Sequence, residues 1–438
     1  MAAPSVEPRP TKAAALWLLF LGPFFFVVYG FCDWYAASLP SVPAYFYEWE
    51  KWIPFVPAAI VPYFTIDILY AVSVFLCRDR RELNIHAWRI IAAILISAAG
   101  FILFPLRYAF ERPVVDSFYG FFFSALFSIG EWYNQAPSLH MSLLIVLWAC
   151  FARHTVGGWR WLLHGWCVVI GASVLLVQQH HFIDIWTGLL VGAVCLYVLP
   201  QAPRRWDKCQ LSYDPQRRRL GCRYLGGSLA CAFGAVLVGG WGWWLLWPAI
   251  ALLLVALAYF GLGVAVFQKN AGQQSWPARI LLAPYLVGAW ISYRMYTRSL
   301  PAMHAVVPGV FFGRWPRADD LSGCSPGAVL DLTAEFSATR KGRAQSYQNV
   351  PILDLTTPEP SALRAAVEFI EKHAHTGPVY VHCALGLSRS ATVVAAWLVC
   401  SRRAASADAA LSQLAELRRG VTWSPAHVSA IAEAVKLA

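Results

Sequence analysis

The sequence predicts a polytopic α-helical membrane domain followed by a soluble α/β domain of the Cys-x5-Arg type. Three observations predict it. Of the 438 residues, 58% are apolar, and the mean hydropathy of +0.51 exceeds what a soluble globular chain needs. Apolar stretches of about 20 residues, the length of helix that crosses a roughly 30 Å hydrocarbon core, recur through the first two-thirds and stop near Leu300. Beyond that point a β-branched strand runs into a loop that carries Cys383 and Arg389 six positions apart.

Taken in order, the apolar stretches give eight expected spans, over residues 13–31, 52–76, 87–106, 138–152, 161–177, 183–199, 224–240 and 243–267. The first lacks a small-residue cleavage site and is expected to remain as an anchor. Lys and Arg mark alternate loops: Arg9 and Lys12, then Arg78 to Arg89, Arg153 and Arg160, and Arg204 to Arg223. By the positive-inside rule these face the cytoplasm. Arg107 and Arg112 break the alternation, since they fall on the expected outer side. A charge where orientation disfavours it is a candidate substrate-binding group.

The formal net charge of +11 is therefore a topology signal. No aromatic-basic module accompanies the clusters, so a nucleic-acid partner is not expected. Residues 279–298 carry Arg279, Arg294 and Arg298 around an apolar centre that contains Pro284. This suits a helix lying on the membrane surface better than a ninth span, and it keeps the C-terminal domain in the reducing cytoplasm, where a catalytic thiol survives. The expected organisation is a membrane domain over 1–205, further spans and an interfacial helix over 206–299, and a soluble domain over 300–438. The eleven cysteines show no CxxC pair and no metal-ligand spacing, so they read as thiols.

The sharpest motif is Val379-Tyr-Val-His-Cys-Ala-Leu-Gly-Leu-Ser-Arg-Ser390: strand, tight loop, then helix. A phosphate dianion needs many donors at one point, and a loop ahead of a helix N-terminus supplies backbone N–H groups and a positive dipole end. Ala384, Leu385, Gly386, Leu387 and Ser388 would form that cradle. Arg389 would bind two phosphoryl oxygens with its planar fork. The same field should depress the Cys383 pKa and present a thiolate nucleophile. Ser390 is placed to donate to the sulfur as it leaves, and His382 to orient the loop. The departing alcohol needs a proton from another loop. Asp354, after the strand at 349–353, is the candidate acid, and Glu359 is the alternative.

These residues resemble the dual-specificity branch of the protein tyrosine phosphatases, HCxxGxxRS with an acid about 30 residues upstream. Val310-Phe-Phe-Gly-Arg314 resembles its opening strand, Val329-Leu-Asp-Leu-Thr333 the next, and residues 360–375 the helix before the loop. The resemblance implies hydrolysis of phosphate monoesters through a cysteinyl-phosphate, with a membrane lipid or a phosphoprotein as substrate.

In the membrane domain, Pro137-Ser-Leu-His140 and Gln179-His-His-Phe-Ile-Asp184 stand at outer ends of expected spans. They resemble the second and third motifs of the type 2 phosphatidate phosphatases. That resemblance implies His180 as nucleophile, Asp184 as its orienting partner and His140 as proton donor to the leaving group, with His181 a bystander. Arg112-Pro113 matches the end of the first motif, but Pro105 stands where its lysine belongs, and Val174 stands where an arginine usually precedes the nucleophile. These departures resemble the inositol phosphorylceramide and sphingomyelin synthase branch, so the acceptor is either water or a lipid alcohol. The combination resembles a bacterial fusion of the two phosphatase types. It implies a bifunctional enzyme of the inner membrane that needs no cofactor or metal. A headgroup transferase with a regulatory phosphatase domain and a membrane-anchored phosphoprotein phosphatase are the alternatives.

Overall fold

The computed structural model describes residues 9–111, 114–115, 117–129, 132–201, 210–317, 319–320, 326–339 and 346–436. The chain divides into two compact units, Met1–Pro203 and Arg204–Ala438.

The first unit is helical. It comprises α1 (Thr11–Ala37), α2 (Ile60–Leu76), α3 (Arg80–Leu103), α4 (Gly120–Ile129), α5 (Leu139–His154), α6 (Gly158–Leu176) and α7 (Phe182–Val198). Side-chain caps fix two starts. Asp79 accepts from the Glu82 amide at 2.8 Å ahead of α3, and Ser138 accepts from Met141 ahead of α5, each satisfying an otherwise orphaned N–H. Leu83, Ile90, Ile94, Leu144, Val146 and Ile170 sit in one buried apolar cluster.

Every expected span contains helix. Among the described residues, six helical segments are long and apolar enough to cross a membrane: Thr11–Ala37, Pro57–Leu76, Arg80–Leu103, Gly158–Leu176, Pro215–Val238 and Gly240–Phe267. The stretches at 138–152 and 183–199 form the shorter helices α5 and α7, of 16 and 17 residues. Both begin at their polar histidine motifs, and those motifs occupy the first turns. The short helix α4 had no counterpart among the expected elements.

The second unit opens with α8 (Pro215–Val238) and α9 (Leu246–Leu257), followed by a hairpin of β1 (Lys269–Asn270) and β2 (Gln273–Gln274). Then come α10 (Trp276–Leu281) and α11 (Ala283–Tyr296), where a surface-lying helix was expected. The α/β part adds β3 (Met303–Val307), β4 (Val310–Gly313), β5 (Ala328–Thr333), β6 (Ser346–Ile352), α12 (Pro360–Ala374), β7 (Val379–His382), α13 (Arg389–Cys400), α14 (Ala407–Leu417) and α15 (Pro425–Lys436).

The five-stranded sheet has the order β3-β4-β7-β5-β6. β3 pairs antiparallel with β4, and the other pairings are parallel. All four residues of the central strand β7 are buried, as a strand covered on both faces requires. Because side chains alternate across a strand, Val379 and Val381 join the core with Leu363, Ile370, Val394 and Trp397. Tyr380 turns to the other face with Val329.

Candidate active site

The parallel register places the carboxyl ends of β5, β6 and β7 along one edge, and open α/β sheets bind ligands at that edge. Cys383 follows β7 there, Asp354 follows β6 and Glu335 follows β5. Residues distant in sequence thereby meet.

The loop between β7 and α13 wraps around the sulfur. The carbonyls of Ala384, Leu385 and Leu387 are taken from outside by the Trp315 amide at 2.9 Å, the Arg418 guanidinium at 3.0 Å and the Thr422 amide at 3.0 Å. In a trans peptide the carbonyl and the next N–H point in opposite directions. The amides of Leu385, Gly386 and Ser388 are therefore turned the other way. That of Gly386 donates to Cys383 Sγ at 3.2 Å, and Ser390 Oγ lies 3.5 Å from the same sulfur. Gly386 has φ +74°, and a Cβ there would lie 2.7 Å from the Arg314 amide nitrogen. Only glycine meets both conditions. Ser388 Oγ approaches His427 Nε2 at 3.4 Å, and its carbonyl is held by the Thr392 amide at the start of α13.

Arg389 is fully enclosed, at 2% exposure. Its guanidinium grips Glu335 bidentately at 3.0 and 2.6 Å, donates to the Ile352 carbonyl at 2.9 Å and lies 2.9 Å from Asp354 Oδ1. The desolvation cost of its charge is met by Glu335, whose carboxyl is held below its usual pKa against the upward push of burial. Asp354 moves the other way. Burial raises it and Glu335 adds to the rise, while Arg389 opposes both. A carboxyl that keeps its proton nearer neutrality is what a general acid requires. Glu359 is exposed at the N-cap of α12.

Beneath the loop, His382 is buried, with Nδ1 4.0 Å from Asp331 Oδ1. Burial lowers its pKa although Asp331 opposes the shift. Asp331 also accepts from Tyr347 at 2.6 Å and from Lys269 at 2.7 Å. Lys269 comes from the β1 hairpin and is buried with it. Helix α11 packs Tyr293 against Phe336 and Ala384, and Tyr293 Oη accepts from Arg314 at 2.7 Å.

Glu335, Lys269, Tyr293 and Arg418 were not among the residues singled out from sequence. Glu335 had a readable signal. A buried arginine needs a counter-charge, and Glu335 is the first carboxylate after a strand that ends at the same edge.

In the first unit, α5 and α7 meet closely at Gly188, where a Cβ would lie 2.9 Å from the Cβ of Met141. The Ser138 amide donates to the Asp184 carbonyl at 2.9 Å. The two motifs are thereby joined at their N-terminal ends. His140 and His180 line one cavity of about 330 Å³, and the His140 ring stacks on Tyr63 at 4.3 Å. His180 Nδ1 lies 3.5 Å from Asp184 Oδ2.

His181 is spent elsewhere. Nδ1 is 2.9 Å from Glu50 Oε2, and Nε2 accepts from the Ala109 amide at 3.1 Å. That pattern assigns its proton to Nδ1. Arg107 is also engaged outside the cavity, on the carbonyls of Val42 and Tyr108. Arg112 lies outside the described residues. Among the described residues no Lys or Arg lines the cavity, so Arg107 is not brought to the histidines.

The profile of the dual specificity phosphatase catalytic domain matches residues 310–436. Dual specificity protein phosphatase 2 of Homo sapiens is 35% identical over 121 residues, covering 26% of this chain and 38% of that protein. The Mus musculus protein of the same name is 33% identical over 121 residues, covering 26% and 37%. This chain thus spans well under half the length of these relatives. The crystal structure of Tk-PTP in the active form is similar at 27% identity, over 31% of this chain and 98% of that one, with a TM-score of 0.29. Residues 310–436 are a dual-specificity phosphatase domain, carried C-terminal to a helical part with several apolar helices.

Proposed function

We propose that the protein is a multi-pass membrane phosphatase that hydrolyses phosphate monoesters of lipids at two centres. Cys383 serves the cytoplasmic face, and the His140, His180 and Asp184 group serves the outer leaflet. The observation that carries the first centre is the placement of Cys383, Arg389 and Asp354 at one sheet edge, with Arg389 within 2.9 Å of Asp354.

In the Cys383 reaction the phosphate dianion takes the Arg389 face now shared with Asp354, while Glu335 keeps the guanidinium oriented. The sulfur attacks phosphorus, the phosphorus–oxygen bond to the alcohol breaks, and Asp354 gives its proton to the departing oxygen. Asp354, now a carboxylate, then takes a proton from water. That water attacks the cysteinyl-phosphate and releases phosphate, with Ser390 donating to the sulfur as it leaves.

In the first unit His180 attacks phosphorus as the bond to the leaving oxygen breaks, Asp184 steadies the imidazolium and His140 protonates the leaving alkoxide; water then attacks the phosphohistidine, gives its proton to His140 and releases phosphate. The shared cavity supports this reading. The basic loops at Arg78 to Arg89 and Arg204 to Arg223 support a cytoplasmic phosphatase domain, as in a bacterial inner membrane. The lipid assignment rests on the apolar helices joined to the phosphatase domain, and a phosphoprotein substrate for Cys383 is the competing outcome.

Phosphate release from a phospholipid panel and a phosphopeptide tests the reading, comparing wild type, Cys383→Ser and His180→Ala. Two centres require that the two variants lose different activities. Loss only in Cys383→Ser would reduce the first unit to an anchor.

A further inference from the structure

Helix α2 is apolar along its length except for one charged residue, Asp67. Asp67 lies about 10 Å from one end and about 14 Å from the other of a 17-residue helix. An ionisable side chain at that depth is costly in a membrane and calls for a ligand or a partner. Among the described residues Asp67 has no hydrogen bond or ion pair. It lines the same cavity as His140 and His180, one turn along α2 from Tyr63, the residue that stacks on His140.

Two more residues of the cavity wall have unfilled acceptors. The Asn134 side-chain amide donates to the Tyr29 carbonyl at 2.9 Å, and that of Gln135 donates to the Trp132 and Tyr133 carbonyls at 3.3 Å. Both donor groups are thus used on the backbone. Asn134 Oδ1 and Gln135 Oε1 remain buried without partners, and such acceptors cost free energy until a donor meets them. The described wall therefore offers acceptors from Asp67, Asn134 and Gln135, no Lys or Arg, and two histidines.

We propose that this cavity selects a lipid phosphate that carries hydrogen-bond donors, an ammonium or hydroxyls, within a few bonds of phosphorus, and that Asp67 is the residue that reads them. The inference rests on the histidine centre proposed above for the position of the phosphate. A helical turn rises 5.4 Å, which matches the reach from a phosphorus held by the histidines to a donor on the neighbouring carbons. Phosphatidate has both glycerol oxygens acylated and offers no such donor, so it leaves the three acceptors unmet.

The test is equilibrium binding to the full-length protein in nanodiscs, read without turnover. The probes are a sphingoid base 1-phosphate, with backbone ammonium and hydroxyl, lysophosphatidate, with a free glycerol hydroxyl, and phosphatidate of matched chain length. Wild type binds at least one donor-bearing lipid about tenfold or more tighter than phosphatidate, as expected for hydrogen bonds to a charged group. Which lipid gains identifies the source of the donors. Asp67→Asn brings the ratio to within about threefold without changing phosphatidate affinity, and Gln135→Leu narrows it by a smaller factor.

Phosphate release by wild type is read separately: a preference without release overturns the catalytic reading alone, and release without a preference overturns this one. Equal affinity for all three lipids, no binding of any, or an unchanged preference in an Asp67→Asn protein that melts like wild type overturns the proposal.

Discussion

The phenol of Tyr259 donates to the main-chain carbonyl of Asp354 at 2.9 Å. Tyr259 lies on the apolar segment that follows α9, outside the matched phosphatase residues, and is buried. Gln216 at the start of α8 donates to the next carbonyl, that of Leu355, also at 2.9 Å. The loop that carries the proposed acid is thus held at two consecutive carbonyls by segments that precede the matched phosphatase residues.

Tyr259→Phe removes one of these bonds and little volume. A net hydrogen bond of about 1 kcal/mol corresponds to roughly a fivefold rate effect if it acts only through the acid. The loss should appear with alkyl phosphates, which need protonation, and should vanish with aryl phosphates whose leaving group is already stable. Equal losses on both would place the defect elsewhere.

Asp354 should govern the basic side of the pH profile. Its carboxyl is raised by burial, and the protonated form is the active one, so alkyl phosphate turnover falls as pH rises through its pKa. Asp354→Asn should abolish that limb and lower kcat by about a hundredfold or more, the usual contribution of a positioned acid. A basic limb that persists in Asp354→Asn would assign it to another group.

Glu335→Ala leaves the buried Arg389 guanidinium with only Asp354 and the Ile352 carbonyl. Removing one partner of a buried pair costs about 3–5 kcal/mol, so the variant should unfold at markedly lower temperature, and phosphate affinity should fall because Arg389 is no longer oriented. Differential scanning calorimetry and vanadate binding measure the two effects. A wild-type melting temperature would contradict the role assigned to Glu335.

The neighbouring histidines should separate cleanly. His181→Ala breaks bonds to Glu50 and to the Ala109 amide and should cost stability, about 1–3 kcal/mol for buried groups left unmet. His180→Ala should leave the melting temperature within about a degree, since among the described residues His180 Nδ1 has no hydrogen-bond partner. It should remove only the first unit's activity. The reverse pattern would exchange their roles.

How much was legible in the sequence depends on the range of the interactions. The strand, loop and helix around Cys383 lie within a dozen residues, and their chemistry is local, so Cys383, Gly386 and Arg389 were legible. Asp354 was legible because it follows a short strand and precedes a proline-rich loop. Glu335 lies 54 residues from Arg389 and Lys269 lies 62 from Asp331; they meet only through sheet register and an inserted hairpin, which no local pattern encodes. The eight apolar stretches were visible because periodicity and hydropathy are local too. The stretches at 138–152 and 183–199 were read at nearly the lengths of α5 and α7, whereas the bond from the Ser138 amide to the Asp184 carbonyl that joins their N-terminal ends spans 46 residues and left no local signal. Asp67 was passed over inside an apolar run, and its place beside the histidines emerges only when α1, α2 and α5 enclose one cavity.

The most direct test of the central claim is to trap the covalent intermediate. Purified full-length protein is mixed with a phosphate monoester, quenched in acid within milliseconds and mapped by peptide mass spectrometry. The account predicts a phosphoryl adduct on Cys383, absent from Cys383→Ser, and retained in His180→Ala. Undiminished phosphate release by Cys383→Ser from the substrates that wild type cleaves, with no adduct on Cys383 in wild type, would contradict it.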